Sequence, residues 1–264
     1  MGRNLLIGSA VCLLMVSVVG AQPPATFNED NGVKESVTLP TVRIMTFNIR
    51  HGLGMDGMVD LEGIAGEIRK SGADIVALQE VDRFWPRSGM QDQAGMLAQA
   101  LGMYSCFAAS LDWGVRQYGN AILSRFPIAC SRVEFLNSPK ERRSLLAADV
   151  RIGDYRLTVF NTHLGLTPQE QSEQLSAIAR NLAEVDGPAV LTGDFNMEAD
   201  HPLLALLPSS YAKIHMRVKA PTLFNGKEID HIFTNIPVEG LFARTQPTDA
   251  SDHHPVIVDL PLVG

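Results

Sequence analysis

Five strand-length segments of this chain carry Asn, Glu, His or Asp at a terminus, and a sixth carries Asp near its beginning. The termini are Asn48, Glu80, His163, Asp194 with Asn196, and Asp252 with His253, and the sixth residue is Asp230. One of the segments, Asp74–Val81, has a continuous apolar run before Gln79 and Glu80. A run of that kind is expected of a strand covered on both faces. The chain therefore needs sheets inside a layered fold, with polar strand ends gathered where distant parts of the sequence can meet. One polar strand end means little, but the same ending on five segments is a pattern. Asp252 beside His253 adds a carboxylate able to orient an imidazole and favour its charged form.

The other elements follow from periodicity and punctuation. Strands are expected over residues 42–48, 74–81, 119–125, 128–136, 145–152, 156–164, 189–194, 228–234 and 255–262. Residues 50–59 are glycine-rich and read as a loop. Asp60 can cap a helix whose apolar stripe is Leu61, Ile64, Ala65 and Ile68, with Gly72 as its stop. A second helix is expected over residues 92–101. A third starts at Thr167-Pro168-Gln169-Glu170, which supplies a cap, a proline at the first helical position and a capping box. Its stripe is Leu175, Ile178, Ala179, Leu182 and Val185, and Gly187-Pro188 stops it. Strands outnumber helices, which points to an α/β or α+β layered fold with stacked sheets.

The N-terminus reads as a targeting signal. Arg3 precedes an apolar stretch from Leu5 to Val19, and Val19-Gly20-Ala21 offers small residues for cleavage. The stretch is short for a membrane span, which needs about 20 apolar residues. Residues 1–21 are read as a signal peptide, 22–40 as a proline-bearing linker and 41–264 as the functional domain. The expected location is secreted or periplasmic, with an uncleaved anchor as the alternative. The 264 residues carry a formal net charge of −7. Loss of residues 1–21 removes one arginine and no acid, making it −8. An acidic chain is a weak vote against a long polyanion as ligand. Cys106 and Cys130 remain after cleavage. In an exported protein they could pair, but two unrelated buried thiols is the preferred reading.

Five Asn/Glu/His/Asp termini without a thiolate suit a hard cation such as Mg²⁺. The motifs in order are Thr46-Phe47-Asn48, Leu78-Gln79-Glu80, Tyr118-Gly119-Asn120 continuing to Ser124, Asn161-Thr162-His163-Leu164, Gly193-Asp194-Phe195-Asn196, Ile229-Asp230-His231-Ile232 and Ser251-Asp252-His253. This ordered set resembles that of the endonuclease/exonuclease/phosphatase superfamily, over roughly residues 42–260. The resemblance implies a four-layer αββα sandwich, with two packed mixed β-sheets flanked by helices. It also implies a divalent-metal phosphoesterase, using Mg²⁺ or Mn²⁺, in which water attacks phosphorus. By motif match Glu80 would be the principal metal ligand, and Asn48 would support it or bind the metal through water. Asp194 would orient or deprotonate the water, and Asn196 and His163 would donate to phosphoryl oxygens. His253 would meet the phosphate or act as acid/base, its ring held by Asp252 or Asp230. Asn120 and Arg143 are carried forward as substrate contacts.

Each of these residues has a blander reading. Gly-Asp-Phe-Asn can be a simple turn, and His163 a satisfied structural histidine. Arginines in loops are mostly solvated. Asp230 is preferred over its neighbour His231, and His254 reads as a bystander. A buried strand ending on an unpaired Glu80 is costly, which argues for a partner there. The expected reaction is phosphoester hydrolysis by a monomer, with a small-molecule or lipid-derived substrate favoured. No aromatic hairpin suited to lipid insertion is evident, nor any basic stripe with interleaved aromatics. An extracellular nuclease and an inactive binding domain of the same fold are the alternatives.

Overall fold

The structure, a computed structural model, describes residues 40–262. The signal segment and, apart from Pro40, the linker lie outside the described residues. Among the described residues no helix is long and apolar enough to cross a membrane.

Twelve strands form in chain order: β1 (Thr41–Asn48), β2 (Ile75–Arg83), β3 (Tyr104–Trp113), β4 (Arg116–Ser124), β5 (Ile128–Leu136), β6 (Arg143–Ile152), β7 (Tyr155–His163), β8 (Ala189–Asp194), β9 (Ala212–Lys213), β10 (Asp230–Thr234), β11 (Arg244–Thr245) and β12 (Val256–Pro261). Three α-helices accompany them: α1 (Leu61–Ser71), α2 (Gln93–Leu101) and α3 (Pro168–Ala183). The strands make two six-stranded sheets, in the orders β11-β12-β1-β2-β4-β3 and β5-β6-β7-β8-β10-β9. Each sheet is mixed. The β1/β2 and β7/β8 pairs are parallel, and the other pairings are antiparallel.

Side-chain alternation sorts the core into three layers. Between the sheets lie Val42, Ile44, Ile122, Leu146, Val159, Ile232 and Val258. The opposite face of the first sheet turns Met45, Phe47, Val76 and Leu78 towards Ile64, Ile68 and Leu97 of α1 and α2. The outer face of the second sheet packs Leu145, Phe160 and Leu191 on Leu175, Ile178 and Leu182 of α3. Each such side chain contributes about 1.5–3 kcal/mol on burial. The four layers are those the sequence implied.

The helix ends also follow their signals. Asp60 accepts from Gly63 N, and Gly72 closes α1 in the left-handed conformation. Thr167 and Glu170 form the capping box of α3. The helix stops before Val185, which packs on the same core from the turn beyond.

Two features depart from expectation. Three strands have no counterpart in the sequence reading: the two-residue β9 and β11, and the ten-residue β3. The burial of β3 alternates, but the inward residues are mainly small, Cys106, Ala108 and Ser110, so the alternation carries little hydrophobic signal. Cys106 and Cys130 form a disulfide rather than standing as separate thiols. Cys106 lies on the edge strand of one sheet and Cys130 on the edge strand of the other, so the bond joins the sheets along one margin. At the opposite margin a backbone bridge pairs Met216 with Ala243, close to β9 and β11.

Candidate active site

Two β-α-β units, one per sheet, position the site. In the first, β1 and β2 run parallel and are joined through α1; in the second, β7 and β8 run parallel and are joined through α3. Parallel strands deliver their carboxyl ends to one edge, where ligand sites form in open α/β sheets. Asn48 ends β1, His163 ends β7, and Asp194 ends β8 opposite His163. Glu80 arrives by an irregular route. The β2/β4 register shifts between Leu78 and Val81, and Glu80 adopts φ 57° in the left-handed region. Such a bulge re-aims a side chain, and here it turns Glu80 to the cleft. Gly193 makes the second delivery possible. At φ 151° a Cβ would sit 2.1 Å from Thr162 O, so only glycine fits beside β7.

The antiparallel neighbours add the remaining groups. Asp230 begins β10 opposite Asp194, and His253 lies just ahead of β12 beside β1. Asn48 Nδ2 donates to Glu80 Oε1 at 3.1 Å and to Asp194 Oδ2 at 3.0 Å, while its Oδ1 accepts from Arg50 N. The same Asp194 oxygen lies 3.5 Å from His163 Nε2 and 3.7 Å from His253 Nε2. Three side-chain donors from three segments thus converge on one carboxylate oxygen. Arginine only donates, so the 3.2 Å contact of Arg143 Nη1 with His163 Nδ1 makes that nitrogen the acceptor. The neutral ring then carries its proton on Nε2, towards Asp194. His253 Nδ1 donates to Asp230 Oδ2 at 2.9 Å.

Burial lowers the His253 pKa, but the charge and hydrogen bond of Asp230, with Asp194 and Asp252, outweigh it and raise it to about 10. Burial, with Arg143 and His253 adding repulsion, holds His163 well below the ordinary histidine range. The two imidazoles are therefore one cation and one neutral donor. Asp194 is 1% exposed, and burial together with Asp230 pushes it up to about 7. Burial also raises Glu80.

Glu80, Asp194 and Asp230 face one imidazolium, and the buried Arg143 guanidinium is already paired with Glu141. Buried acids in excess of their cations call for another positive charge. Asp230 Oδ1 is buried without a partner, and Asp194, Asp230 and His253 offer ligand atoms within 4.8 Å of one another. The donor set is hard and suits a divalent cation. In the trio, a cation would have to displace the proton that His253 shares with Asp230. Glu80 carries no such proton bridge, so it is the better seat. Asn48 turns its amide nitrogen to Glu80 and Asp194 while its oxygen accepts from Arg50 N, so in this structure it braces the two acids.

The other expected residues divide. Asp230, and not Asp252, holds the His253 ring. Asp252 sits 3.5 Å from Arg50 Nε, outside the cleft lining. Asn196 lines the cleft, with its N–H on Asp194 Oδ1 and its Nδ2 on Leu164 O, so it braces the Asp194 turn. Arg143 lines the cleft as expected. Asn120 is buried, donates to Ser144 O at 3.0 Å, and does not line it. His231 is buried against Met197 O, and His254 accepts from Thr248 N.

The cleft, of about 430 Å³, continues from these polar groups to a second wall of Trp85, Leu111, Trp113, Tyr118 and Leu166. A larger depression, of about 620 Å³, lies at Asp56 and Asp249, away from the converging side chains. Sequence reasoning missed this wall because Leu111 and Trp113 belong to the unforeseen β3. The signal that could have found it is Asp112-Trp113-Gly114, a turn-forming sequence with an exposed aromatic. Trp85 is set by its neighbours: buried Asp82 accepts two hydrogen bonds of 2.8 Å from Arg87, which lies over the Trp85 ring. Trp113 meets Trp85 edge-on at 5.0 Å.

Comparison with known proteins agrees with this geometry. The model of the endonuclease/exonuclease/phosphatase family matches residues 45–253. A UPF0294 protein of Vibrio parahaemolyticus is 30% identical over 158 residues, 54% of each chain. A UPF0294 protein of Vibrio cholerae is 29% identical over 148 residues, 52% of each. The chain thus spans about half the length of the curated relatives it matches. An endonuclease/exonuclease/phosphatase from Beutenbergia cavernae superposes with TM-score 0.69 at 27% identity, covering 85% of this chain and 72% of that one. A mannosyl-6-phosphatase from Bacteroides thetaiotaomicron shares the fold with TM-score 0.64 at 19% identity, covering 83% and 99%. With the fold, the ordered motifs and the family model in agreement, the chain belongs to the endonuclease/exonuclease/phosphatase family.

Proposed function

We propose that this chain is an exported, Mg²⁺-dependent phosphoesterase that hydrolyses a small or lipid-derived organic phosphoester by attack of water on phosphorus. The observation that carries the reading is the convergence of Asn48, His163 and His253 on Asp194 Oδ2. The cluster presents donors and a carboxylate to one small volume, as attack on an anionic ester requires. His163, neutral with its proton on Nε2, and His253, as imidazolium, donate to the phosphoryl oxygens. Asp194 takes the proton of the attacking water as the P–O bond to the organic group breaks, the departing oxygen takes a proton from the His253 imidazolium, and Asn196 N–H and Asn48 hold the Asp194 carboxylate. Asp230 keeps His253 charged and oriented. Glu80 would hold a divalent cation, which when bound would supply positive charge against the phosphoryl oxygens and favour ionisation of the water.

The organic part of the substrate lies along Trp85, Leu111, Trp113 and Leu166. This wall supports an apolar group beside the phosphate. Trp113 and Leu166 are both exposed on this wall, which leaves contiguous apolar surface open to a substrate. Export is supported by the signal-like N-terminus and by the disulfide, which belongs to oxidising compartments.

The test is a panel of phosphomonoester, phosphodiester, sphingomyelin, plasmid and single-stranded DNA with purified residues 22–264 and Mg²⁺. The expected result is EDTA-sensitive turnover of a non-nucleic-acid ester, lost in His253→Ala. DNA cleavage with the same sensitivities would replace this reading by a nuclease. No metal-dependent turnover across the panel would leave a binding domain.

A further inference from the structure

Three motif residues play no part in the chemistry above: Thr46, Gln79 and Asn161, from Thr46-Phe47-Asn48, Leu78-Gln79-Glu80 and Asn161-Thr162-His163. All three are fully buried. They also touch one another. Gln79 Nε2 donates to Thr46 Oγ1 at 3.0 Å and to Asn161 Oδ1 at 2.7 Å. Asn161 Nδ2 donates to Leu78 O at 2.8 Å and to Ala121 O at 2.9 Å.

Their place in the fold gives the contacts meaning. Asn161 belongs to β7 in the second sheet, whereas Leu78 and Ala121 are cross-strand partners on β2 and β4 in the first. They are the last pair before the register shifts and Glu80 turns to φ 57°. One amide nitrogen thus crosses from one sheet to bind both carbonyls at the root of the bulge in the other. A buried carbonyl left unpaired is costly, so the Asn161 amide favours the bulged register over alternatives that turn these carbonyls elsewhere. Gln79 completes the connection, since its backbone oxygen accepts from Ile49 N just beyond Asn48. Gln79 Oε1 has no partner, so the glutamine is held by its donor end alone.

We propose that Asn161 and Gln79, seated on Thr46, are positioning residues: a clamp between the sheets that fixes the β2 bulge and so the direction of the Glu80 carboxylate. The proposal rests on the reading of Glu80 as a cation ligand. Asn161 touches neither Glu80 nor the cleft, and its effect passes through the backbone of Leu78.

The experiment is Mn²⁺ binding to wild-type protein, Asn161→Asp and Gln79→Met by calorimetry, with thermal unfolding followed in EDTA. Asn161→Asp retains the side-chain size and keeps at most one of the two carbonyl contacts, through a protonated carboxyl; Gln79→Met retains the length and loses the donor. Thr192→Val is the control. It removes another buried hydrogen bond, to Phe160 O at 2.8 Å, from the strand beside Asn161. The expected result is Mn²⁺ binding weakened at least tenfold in both clamp variants and unchanged in the control, at comparable losses of thermal midpoint. Thr46→Val, the mildest change, should weaken binding two- to threefold and keeps the test available if Asn161→Asp does not fold. Clamp variants that bind Mn²⁺ as wild type does overturn the proposal alone. Wild-type protein that takes up no Mn²⁺ overturns it together with the cation reading.

Discussion

In the first sheet a parallel pair of strands joined through α1 brings Asn48 and Glu80 to the cleft; in the second, a pair joined through α3 brings His163 and Asp194. The topology is shared and the local solutions differ. Residues 49–60 separate β1 from α1, and Arg50 and His51 there adopt positive φ. Residues 164–167 separate β7 from α3, and a capping box closes the short turn. Glu80 is aimed by a bulge that the other sheet holds open. Asp194 is aimed by an unbroken strand whose neighbour, Gly193, lets β7 come close. The first acid therefore depends on hydrogen bonds between sheets, and the second on the absence of a side chain. One arrangement can be tuned by degrees, whereas the other fails outright when altered.

The contrast can be broken first through the acids themselves. Asp194→Asn should lower kcat at saturating metal by about 100- to 10,000-fold, as loss of a general base does. Glu80→Gln should chiefly raise the metal concentration giving half activity. Rate measurements across a metal titration separate the two, and if both variants acted only through metal affinity the division of roles would be wrong. Next in size is Gly193→Ala. Its Cβ meets backbone, so a loss of about 3 kcal/mol or more is expected by denaturant unfolding. A loss below about 1 kcal/mol would show that β7 and β8 can part, and that the second unit is no more rigid than the first.

The smallest effect concerns one of the bonds between the two halves, His253 on the β12 side to Asp230 on β10. The folded pKa of His253 is raised to about 10, above the unfolded value near 6.5. Its stabilising contribution is thus complete below about pH 6.5 and is lost as pH rises through the folded value. In EDTA the thermal midpoint should fall between pH 7 and 10, and Asp230→Asn should flatten that decline. A midpoint in wild-type protein that is level across this window would mean that the pair contributes nothing to holding the halves.

The strand ends Asn48, His163 and Asp194 were legible because each follows an apolar run, and Glu80, which lies at a bulge inside β2 and not at its end, meets them. The caps of α1 and α3 were legible because their chemistry is local. What escaped depends on contacts between distant segments. Small inward residues such as Ala108 hid β3, and with it the Trp113 wall. The pairing of Cys106 with Cys130 could not be argued without knowing that both lie on edge strands. Asp252 adjoins His253 in sequence, but alternation and the turn before β12 send it to Arg50, while Asp230 reaches the ring from another sheet. The bulge at Glu80 leaves no mark in Leu78-Gln79-Glu80 itself.

The two margins of the sandwich are sealed by unlike means, Cys106–Cys130 on one side and the Met216/Ala243 bridge on the other. Heat can part a backbone bridge and cannot part a covalent bond. The layers are thus bound like a book with a sewn spine, free to open only at the fore-edge by β9 and β11. Short edge strands are also where amide hydrogens exchange soonest. The molecule has a built-in direction of unravelling, and Cys106, Cys130 and the strands beside them are the part that stays shut longest.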